Sequence, residues 1–344
     1  MANIVVEATG AAIPDATLKG YLAEGQRQNR CLYSQDFTNA AWVSGGGGIA
    51  VTPNTAVAPD GTTTADTLTA SGANGTLIQD LGVVASAAKA GGMWLKRKTG
   101  TGNIDLTLDG GSTWTTVAVT SSWLLLEKTQ TLANEDFGIR IVTSGDAVYT
   151  WTAQVETVAA AAAKLSSPIP TTTAAVTRNS DVLYYASGGN IAEYSWTTYF
   201  EMQRQSGWGG TGIPHASPLL IGSYNTNASL YMGGYVGEIN TVTGHFGTTW
   251  SISANYTATL TLGARNKVAF TGSADGATFS SSSNGSAVED KTASPVKSAN
   301  WNAAYIGIGN AWNGHANNDQ NLCVRNVRIF NKALTDAQLQ SITT

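Results

Sequence analysis

NIDLTLDGGSTWTT, residues 103 to 116, shows the dominant pattern of the chain, an alternation of apolar and polar side chains that ends at a glycine turn. Ile104, Leu106 and Leu108 fall on one face of an extended chain, and polar residues such as Asp105 fall on the other. This period of two predicts a half-buried β-strand, and the glycine pair after it predicts a hairpin turn.

The same alternation recurs elsewhere, and short turn pairs separate the runs. The runs and turn pairs are Tyr149, Trp151, Ala153 and Val155; Trp196, Thr198, Phe200 and Met202; Asp60-Gly61, Asp275-Gly276 and Asn284-Gly285. Many short strands punctuated by such turns are typical of sandwiches and barrels. The sequence therefore predicts an all-β chain of two tandem antiparallel β-sandwiches, or jelly rolls, with a short N-terminal arm.

Composition narrows the class of partner. The chain has 344 residues, enough for two domains, and only 12% of them are charged. A formal net charge of −4 predicts no nucleic-acid partner, and no apolar window is long enough to predict membrane insertion. The N-terminus lacks the features of a signal peptide, so we expect synthesis in a cytoplasm.

Cysteines and histidines give no sign of a metal site. Cys31 and Cys323 lie near opposite ends of the chain, where we expect both to be small buried side chains. The histidines, none of which has a second ligand at zinc spacing, are His215, His245 and His315. We expect no metal centre and no cofactor. Histidine, the commonest general base, occurs in no recognisable catalytic pattern.

Helical patterns are short and lie at the two ends. Leu18, Tyr21 and Leu22 share one face over about two turns, and Gly25 is a plausible stop. Thr335 to Gln338 reads as a capping box that begins a C-terminal helix. A boundary near residues 179 to 192 divides the chain into an arm, 1–28, and two domains, 29–182 and 183–344.

The hairpin at residues 106 to 116 also fits the Asp-box pattern familiar from sialidase propellers. The matching residues are Thr107, Asp109, Gly111, Thr113 and Trp114. A propeller needs several such hairpins in blades of about 40 residues, and one good copy is present. We therefore interpret Asp109, Gly111, Thr113 and Trp114 as a structural turn without a catalytic role.

Asn29 to Gly72 resembles the opening of a sandwich domain that is widespread in bacteriophage tail and surface proteins. The opening matches at Leu32, Ser34, Phe37, Ala40, Trp42 and Ala58 to Asp66, and the family's closing strand matches at Gln154, Glu156, Ile169 to Thr171, Val176 to Arg178, and Asp181. Thr173 replaces the usual glycine, and Ala159 to Lys164 lengthens a loop. The resemblance implies a jelly roll of the carbohydrate-binding-module type.

The chain from about Glu193 is similar to concanavalin A-like, laminin-G-type sandwiches of phage fibres and bacterial surface proteins. The resemblance rests on residues 266 to 288, on AAYIGIGN and on VRIFNKALTDAQLQSI, and residues 206 to 250 match weakly. It implies a second sandwich that is displayed at a surface.

Catalysis has little support in the sequence. A sandwich-type glycoside hydrolase needs two carboxylates that flank a groove, whereas the acidic residues after Glu193 are scattered. No Gly-x-Ser-x-Gly elbow occurs. We predict no catalytic residues and keep polysaccharide hydrolysis as a third reading.

Two loops could bind a sugar. The first surrounds Trp208, and the second contains Trp312, His315, Asn317 and Asp319. An indole can stack on a pyranose while amides and a carboxylate bind its hydroxyls, and the same oxygens could hold Ca²⁺. The same residue types also fill β-loops for turn reasons, and either tryptophan can be a subunit contact.

The N-terminal arm is the segment that we expect to anchor the protein. Val5, Leu18, Tyr21 and Leu22 are among its apolar residues, and they can bind other virion proteins or further copies of the chain, or pack on their own domain. We therefore expect a non-enzymatic phage structural protein in the virion, as a capsid decoration, a fibre or a tail component. A host-glycan-binding adhesin that acts through the C-terminal domain is the alternative.

Overall fold

The computed structural model describes residues 21–158, 164–179, 181, 183–186, 195–204, 216–223, 228–234, 243–247, 253–254, 264–272, 278–292, 305–308 and 322–344. The chain divides into two compact units. The first is Arg27–Arg178, and the second combines the described residues before Arg27 with those from Asn179 onwards. The predicted arm and domain limits, 1–28, 29–182 and 183–344, remain predictions.

The described residues are almost entirely β, so the predicted fold class is confirmed. Up to residue 178 the strands are β1 (Tyr21–Ala23), β2 (Arg27–Asn29), β3 (Val43–Gly46), β4 (Ile49–Ala56), β5 (Ala65–Ala70), β6 (Gly75–Thr99), β7 (Ile104–Thr107), β8 (Thr115–Val117), β9 (Leu124–Ile141), β10 (Ala147–Thr157) and β11 (Val176–Arg178). The later elements are β12 (Leu183–Ala186), β13 (Trp196–Arg204), β14 (Ala216–Ser223), β15 (Ala228–Gly234), β16 (Thr243–Gly247), β17 (Ser253–Ala254), β18 (Arg265–Gly272), β19 (Thr278–Ser283), β20 (Glu289–Thr292), β21 (Tyr305–Ile308), β22 (Leu322–Phe330) and α1 (Asp336–Thr343).

One curled antiparallel sheet forms most of the first unit. Its strand order is β4-β5-β10-β6-β9-β7-β8, and β3 also pairs with β6. The long strands β6 and β9 pair at both ends, with register shifts between Asp80 and Ala87. Because both strands bend there, they contribute to two layers. The Tyr149 layer contains β4, β5, β10, the second half of β6 and the first half of β9. The Asp-box layer contains β3, the first half of β6, the second half of β9, β7 and β8.

The two layers share one hydrophobic core. Its fully buried members come from both layers and include Leu68, Met93, Leu95, Val148, Leu77, Phe137, Ile139, Ile104, Leu106 and Leu108. Burying each such side chain contributes about 1.5 to 3 kcal/mol. The predicted inward face of residues 104 to 108 is therefore confirmed, whereas the prediction of a half-buried strand was wrong, because Asp105 and Thr107 on the other face are buried as well.

The alternation predicted for residues 149 to 155 is interrupted by a bulge. The pairing of β10 with β6 shifts register between Trp151 and Ala153, and Thr152 between them has a φ of 45°. Ala153 packs in the main core with Val155, whereas Trp151 belongs to a separate cluster on the outer side of the layer. The prediction that these residues share one face was wrong, because one extra residue moves the following side chains to the other face.

The second unit contains two described sheets. Their strand orders are β1-β22-β13-β18-β19-β20 and β12-β21-β14-β15-β16-β17. The predicted capping box is confirmed, since Thr335 and Gln338 exchange both of its hydrogen bonds at the start of α1. Leu339 of this helix is buried against Tyr199 and Ala269.

The predicted N-terminal helix was wrong where the structure describes it. Tyr21 and Leu22 lie in β1, which pairs with β22 through Tyr21↔Val324 and Leu22↔Cys323. A helix of two turns forms poorly by itself, whereas the edge of β22 offers backbone partners at once. Leu18 and the alanine run 159–163 lie outside the described residues.

A buried amide joins the beginning of the first unit to its end. The Asn29 side chain is 0% exposed, and its Nδ2 donates to the carbonyls of Ala153 (3.0 Å) and Ile169 (2.8 Å). Its Oδ1 accepts from the backbone N–H groups of Cys31 (3.0 Å) and Val155 (3.1 Å). All four hydrogen-bonding positions of the amide are therefore occupied.

Gln154 and Glu156 extend this network on β10. The backbone N–H of Ile169 donates to Gln154 Oε1 (2.8 Å), and Gln154 Nε2 donates to Glu156 Oε1 (2.5 Å). Glu156 also accepts from the backbone N–H and the hydroxyl of Ser166 and lies 3.5 Å from the Arg27 guanidinium. Burial nevertheless keeps the pKa of Glu156 above its usual value.

Ser34 and Thr171 make the third connection. The Thr171 backbone N–H donates to Ser34 Oγ (2.9 Å), and the Ser34 backbone N–H donates to Thr171 Oγ1 (3.2 Å). The Thr171 hydroxyl donates to the Cys31 carbonyl (2.5 Å). We call the whole set the clasp: Asn29, Ser34, Gln154, Glu156, Ser166, Ile169 and Thr171.

We predict that Asn29→Ala lowers the free energy of unfolding of the first unit by about 3 to 5 kcal/mol, because each buried group left without a partner costs about 1 to 3 kcal/mol. Urea unfolding of the full chain, followed by tryptophan fluorescence, measures the loss. The matched control is Gln28→Ala, since the exposed Gln28 amide bonds only to Thr177 Oγ1 (3.2 Å) among the residues that the structure describes. We expect the control to change stability by less than about 0.5 kcal/mol. Equal losses in both variants would contradict the role of the clasp.

Candidate functional site

The Asp-box carboxylate is fully engaged in building its hairpin. Asp109 accepts hydrogen bonds from the Thr113 backbone (2.8 Å) and hydroxyl (2.6 Å), from Thr107 Oγ1 (2.9 Å) and from Gln130 Nε2 (2.9 Å). Partial burial raises the pKa of Asp109, but these hydrogen bonds together outweigh it and hold the pKa well below its usual range. The carboxylate is therefore ionised and already bonded.

The turn itself depends on glycine and on a tryptophan. Gly110 and Gly111 have φ values of +67° and +92°, and a Cβ on Gly111 would lie 2.9 Å from the Trp114 ring. The guanidinium of Arg140 lies 4.5 Å from the centre of the same ring and donates to Asp105 Oδ2. Every residue of the box thus contributes to local structure.

The sugar site predicted from the sequence lies outside the described residues. This applies to Trp208, Trp312, His315, Asn317 and Asp319, and to Val5 and Leu18 of the arm. Among the residues that the structure does describe, no group of three or more His, Cys, Asp and Glu side chains is arranged to hold a metal ion. No helix in the described part is long and apolar enough to cross a membrane.

A different candidate lies on the outer face of the Tyr149 layer. Tyr149 pairs with Thr67 of β5 and with Lys96 of β6, so the three side chains share one face. The ammonium groups of Lys98 and Lys96 lie 5.4 Å and 6.0 Å from the centre of the Tyr149 ring. Lys98 Nζ also donates to Thr67 Oγ1 (3.3 Å). We call Thr67, Lys96, Lys98 and Tyr149 the Tyr149 surface.

An aromatic cluster supports this surface on one side. Trp151 pairs with Trp94, with ring centres 6.5 Å apart, two residues along each strand from the Tyr149 and Lys96 pair. Trp123 joins the cluster and donates its Nε1 to the Val57 carbonyl (3.0 Å). Trp151 is 6% exposed, and its indole N–H has no hydrogen-bond partner among the described residues.

The two lysines differ in charge pairing from most cations of the first unit. Within 4 Å of a carboxylate lie Arg27, Arg30, Lys89, Arg97, Arg140 and Lys164. Lys128 donates to the Thr113 carbonyl and hydroxyl. Lys96 and Lys98 have no carboxylate within 4 Å in the described part of the chain. Their two positive charges both lie beside the Tyr149 ring.

Sequence reasoning missed the Tyr149 surface. The signal that could have indicated it is Lys96-Arg97-Lys98, a run of three basic residues in a chain with 19 lysines and arginines altogether. Alternation places Lys96 and Lys98 on one face, whereas Arg97 forms an ion pair with Asp146 (3.6 Å). The position of Tyr149 beside them could not be read from the sequence, because it depends on strand pairing.

Comparisons with known proteins find distant likenesses among solved structures. No protein-family model matches the sequence, and no curated protein matches it. The CBM40 domain of a Ruminococcus gnavus IT-sialidase bound to α2,3-sialyllactose is 12% identical, with a TM-score of 0.34 over 44% of this chain and 84% of that chain. A Trypanosoma rangeli sialidase mutant is 17% identical, with a TM-score of 0.34 over 44% of this chain and 23% of that chain. Truncated AlyQ, with CBM32 and alginate lyase domains, is 14% identical, with a TM-score of 0.22 over 85% of this chain and all of that chain. Likenesses at this level carry no conclusion about activity.

We predict that Asp109→Asn destabilises the chain by about 1 to 2 kcal/mol at pH 7, because charge-assisted hydrogen bonds become neutral ones. The folded-state pKa of Asp109 is lowered, so its contribution is complete above the unfolded-state value of about 3.9. It is lost as the pH falls from there towards the folded-state value. The difference between wild type and variant in urea unfolding should therefore shrink below about pH 4. A difference that stays constant from pH 7 to pH 3 would contradict this account.

Proposed function

We propose that this chain is a non-enzymatic structural protein of a bacteriophage virion that displays its β-sandwich units at the particle surface. The observation that carries the proposal is the clasp. Gln154 and Glu156, which match the closing motif of the phage sandwich family, bond to each other, and Gln154 bonds to Ile169 of the same motif. Ser34 of the opening motif bonds to Thr171 of the closing motif. A motif match in which distant parts of the sequence come into contact supports membership of that structural class.

The use of carboxylates in the first unit also supports a role without catalysis. Glu135 lies between Lys89 and Arg30, and Asp105 accepts from Arg140. Glu156 belongs to the clasp. These acids are engaged in ion pairs and hydrogen bonds within the fold, as buried charged groups generally are.

Anchoring is assigned to the segment before Tyr21 in this proposal, with other virion proteins and further copies of the chain as its partners. The strand β1 pairs with β22, and the Glu24 backbone N–H donates to Asp181 Oδ2 (3.0 Å). These two contacts belong to the second unit, so any test of anchoring should leave them intact. A truncation must therefore stop before Tyr21.

We predict that deletion of residues 2–20 abolishes incorporation into particles, because it removes the anchoring segment while keeping β1 and the clasp. Incorporation is measured by complementing a phage that lacks the gene and blotting purified particles. Thermal unfolding of the purified variant is the control and should match that of the full chain. Normal incorporation of the truncated chain would refute the anchoring proposal.

Glycan binding is the second candidate function, and the Tyr149 surface favours it. Tyr149 is half-buried on the outer face of the sheet beside the exposed Lys98, and the accessible part of its aromatic ring can stack on a pyranose. The lysines beside it supply hydrogen-bond donors for ring substituents. This candidate uses the first unit, whereas the loops predicted from the sequence belong to the second.

We predict that Tyr149→Ala weakens binding to polysaccharide extracted from the host surface at least tenfold, since a lost stacking contact is worth about 1.4 kcal/mol or more. Tyr149→Phe is the matched control, because it keeps the ring and should retain most of the affinity. Biolayer interferometry with the immobilised full chain measures both. Unchanged binding in Tyr149→Ala would exclude this surface as the glycan site.

A further inference from the structure

Two positive charges share one aromatic ring on the Tyr149 surface without a carboxylate partner among the described residues. Lys96 Nζ and Lys98 Nζ both lie within 6.0 Å of the centre of the Tyr149 ring. The two ammonium groups are therefore at most about 11.4 Å apart, roughly one Debye length at 0.1 M salt. Like charges at such a distance repel each other weakly, and the ring face offsets this only in part.

The nearby carboxylates are directed elsewhere. Asp66, next to Thr67 in β5, accepts from the backbone N–H groups of Asn54 (2.9 Å) and Phe37 (3.3 Å). Asp146, at the start of β10, accepts from the Gly102 backbone N–H (2.7 Å) and lies 3.6 Å from Arg97. No carboxylate in the described part of the chain therefore balances the charges of Lys96 and Lys98.

We propose that the Tyr149 surface binds an acidic saccharide, with the anionic group of the sugar between Lys96 and Lys98 and the pyranose ring against Tyr149. This inference rests on the proposed glycan-binding function and adds the chemical class of the ligand. An anion placed there removes the repulsion between the two lysines and gains charge-assisted hydrogen bonds from both. The apolar face of the sugar covers the aromatic ring at the same time.

Lys98 is already held in position for this role. Its ammonium group donates to Thr67 Oγ1, and the Thr67 hydroxyl is itself 2.6 Å from Thr55 Oγ1. Thr67 is almost fully buried, so its hydroxyl is a fixed acceptor. A lysine restrained in this way loses less rotamer freedom when it binds an anion.

Paired polysaccharides that differ only in charge test the inference. The full chain is immobilised and titrated with polygalacturonate and with the same polymer after reduction of its carboxyl groups. Dextran sulfate and neutral dextran form the second pair, so that carboxylate and sulfate ligands are distinguished. We expect at least one acidic polymer to bind ten or more times more tightly than its neutral partner at 50 mM salt.

The lysines are tested by the double variant Lys96→Met and Lys98→Met, which should reduce acidic-polymer binding to the level of the neutral partner. The charge-matched control is Lys164→Met with Lys267→Met, which removes two lysines elsewhere and should leave binding within about twofold.

Equal binding of acidic and neutral polymers, with loss in Tyr149→Ala, would overturn the acidic class and leave glycan binding intact. Failure of every polymer to bind would reject both proposals. Equally tight, lysine-dependent binding of single-stranded DNA would show a general anion patch and overturn the saccharide assignment.

Discussion

The Asn29 amide is the interaction on which the rest of the first unit depends. In the first unit the beginning and the end of the chain are both held against β10, and one side chain connects all three. Asn29 bonds to β10 through Ala153 and Val155 and to the closing segment through Ile169. Burying an amide is unfavourable unless its hydrogen bonds are satisfied, and all four are satisfied only when these segments are in place. The clasp therefore selects one arrangement of the ends over alternatives.

The clasp and the bulge at Thr152 together determine which part of the outer sheet face stays open. Gln154 and Glu156 bond to the closing segment, whose Leu165 side chain lies 2.9 Å from the position that a Cβ on Gly92 would take. Before the bulge, Tyr149 and Trp151 occupy the outer face, where Trp151 is buried in its aromatic cluster and Tyr149 is half-buried. The outer face is thus divided into a half that completes the fold and a half on which the Tyr149 ring stays partly exposed.

Local patterns predicted the parts of this structure that depend on local interactions. Alternation placed Leu106 in the core, and the capping box at Thr335 needs only neighbours within one helical turn. The bulge was missed because counting by twos assumes an uninterrupted register, and Thr152 breaks it with a positive φ. The strand at Tyr21 could not be predicted, because its partner, Val324, is far away in the sequence. The Tyr149 surface was missed for the same reason, since pairing of β10 with β6 brings its ring to Lys96.

The pairing of charges distinguishes residues that hold the first unit together from residues that can bind a ligand. The chain has few charged residues, and its polar surface consists mainly of hydroxyls and amides, so each unpaired charge is informative. Arg30 and Lys89 pair with Glu135, and Arg140 pairs with Asp105, which removes these charges from solvent and connects strands. Lys96 and Lys98 form no ion pair in the described chain, and the hydrogen bond that Lys98 donates to Thr67 Oγ1 leaves its charge uncompensated. Cations that folding leaves without a counter-charge are those that an anionic ligand can stabilise most, because the ligand supplies the missing charge.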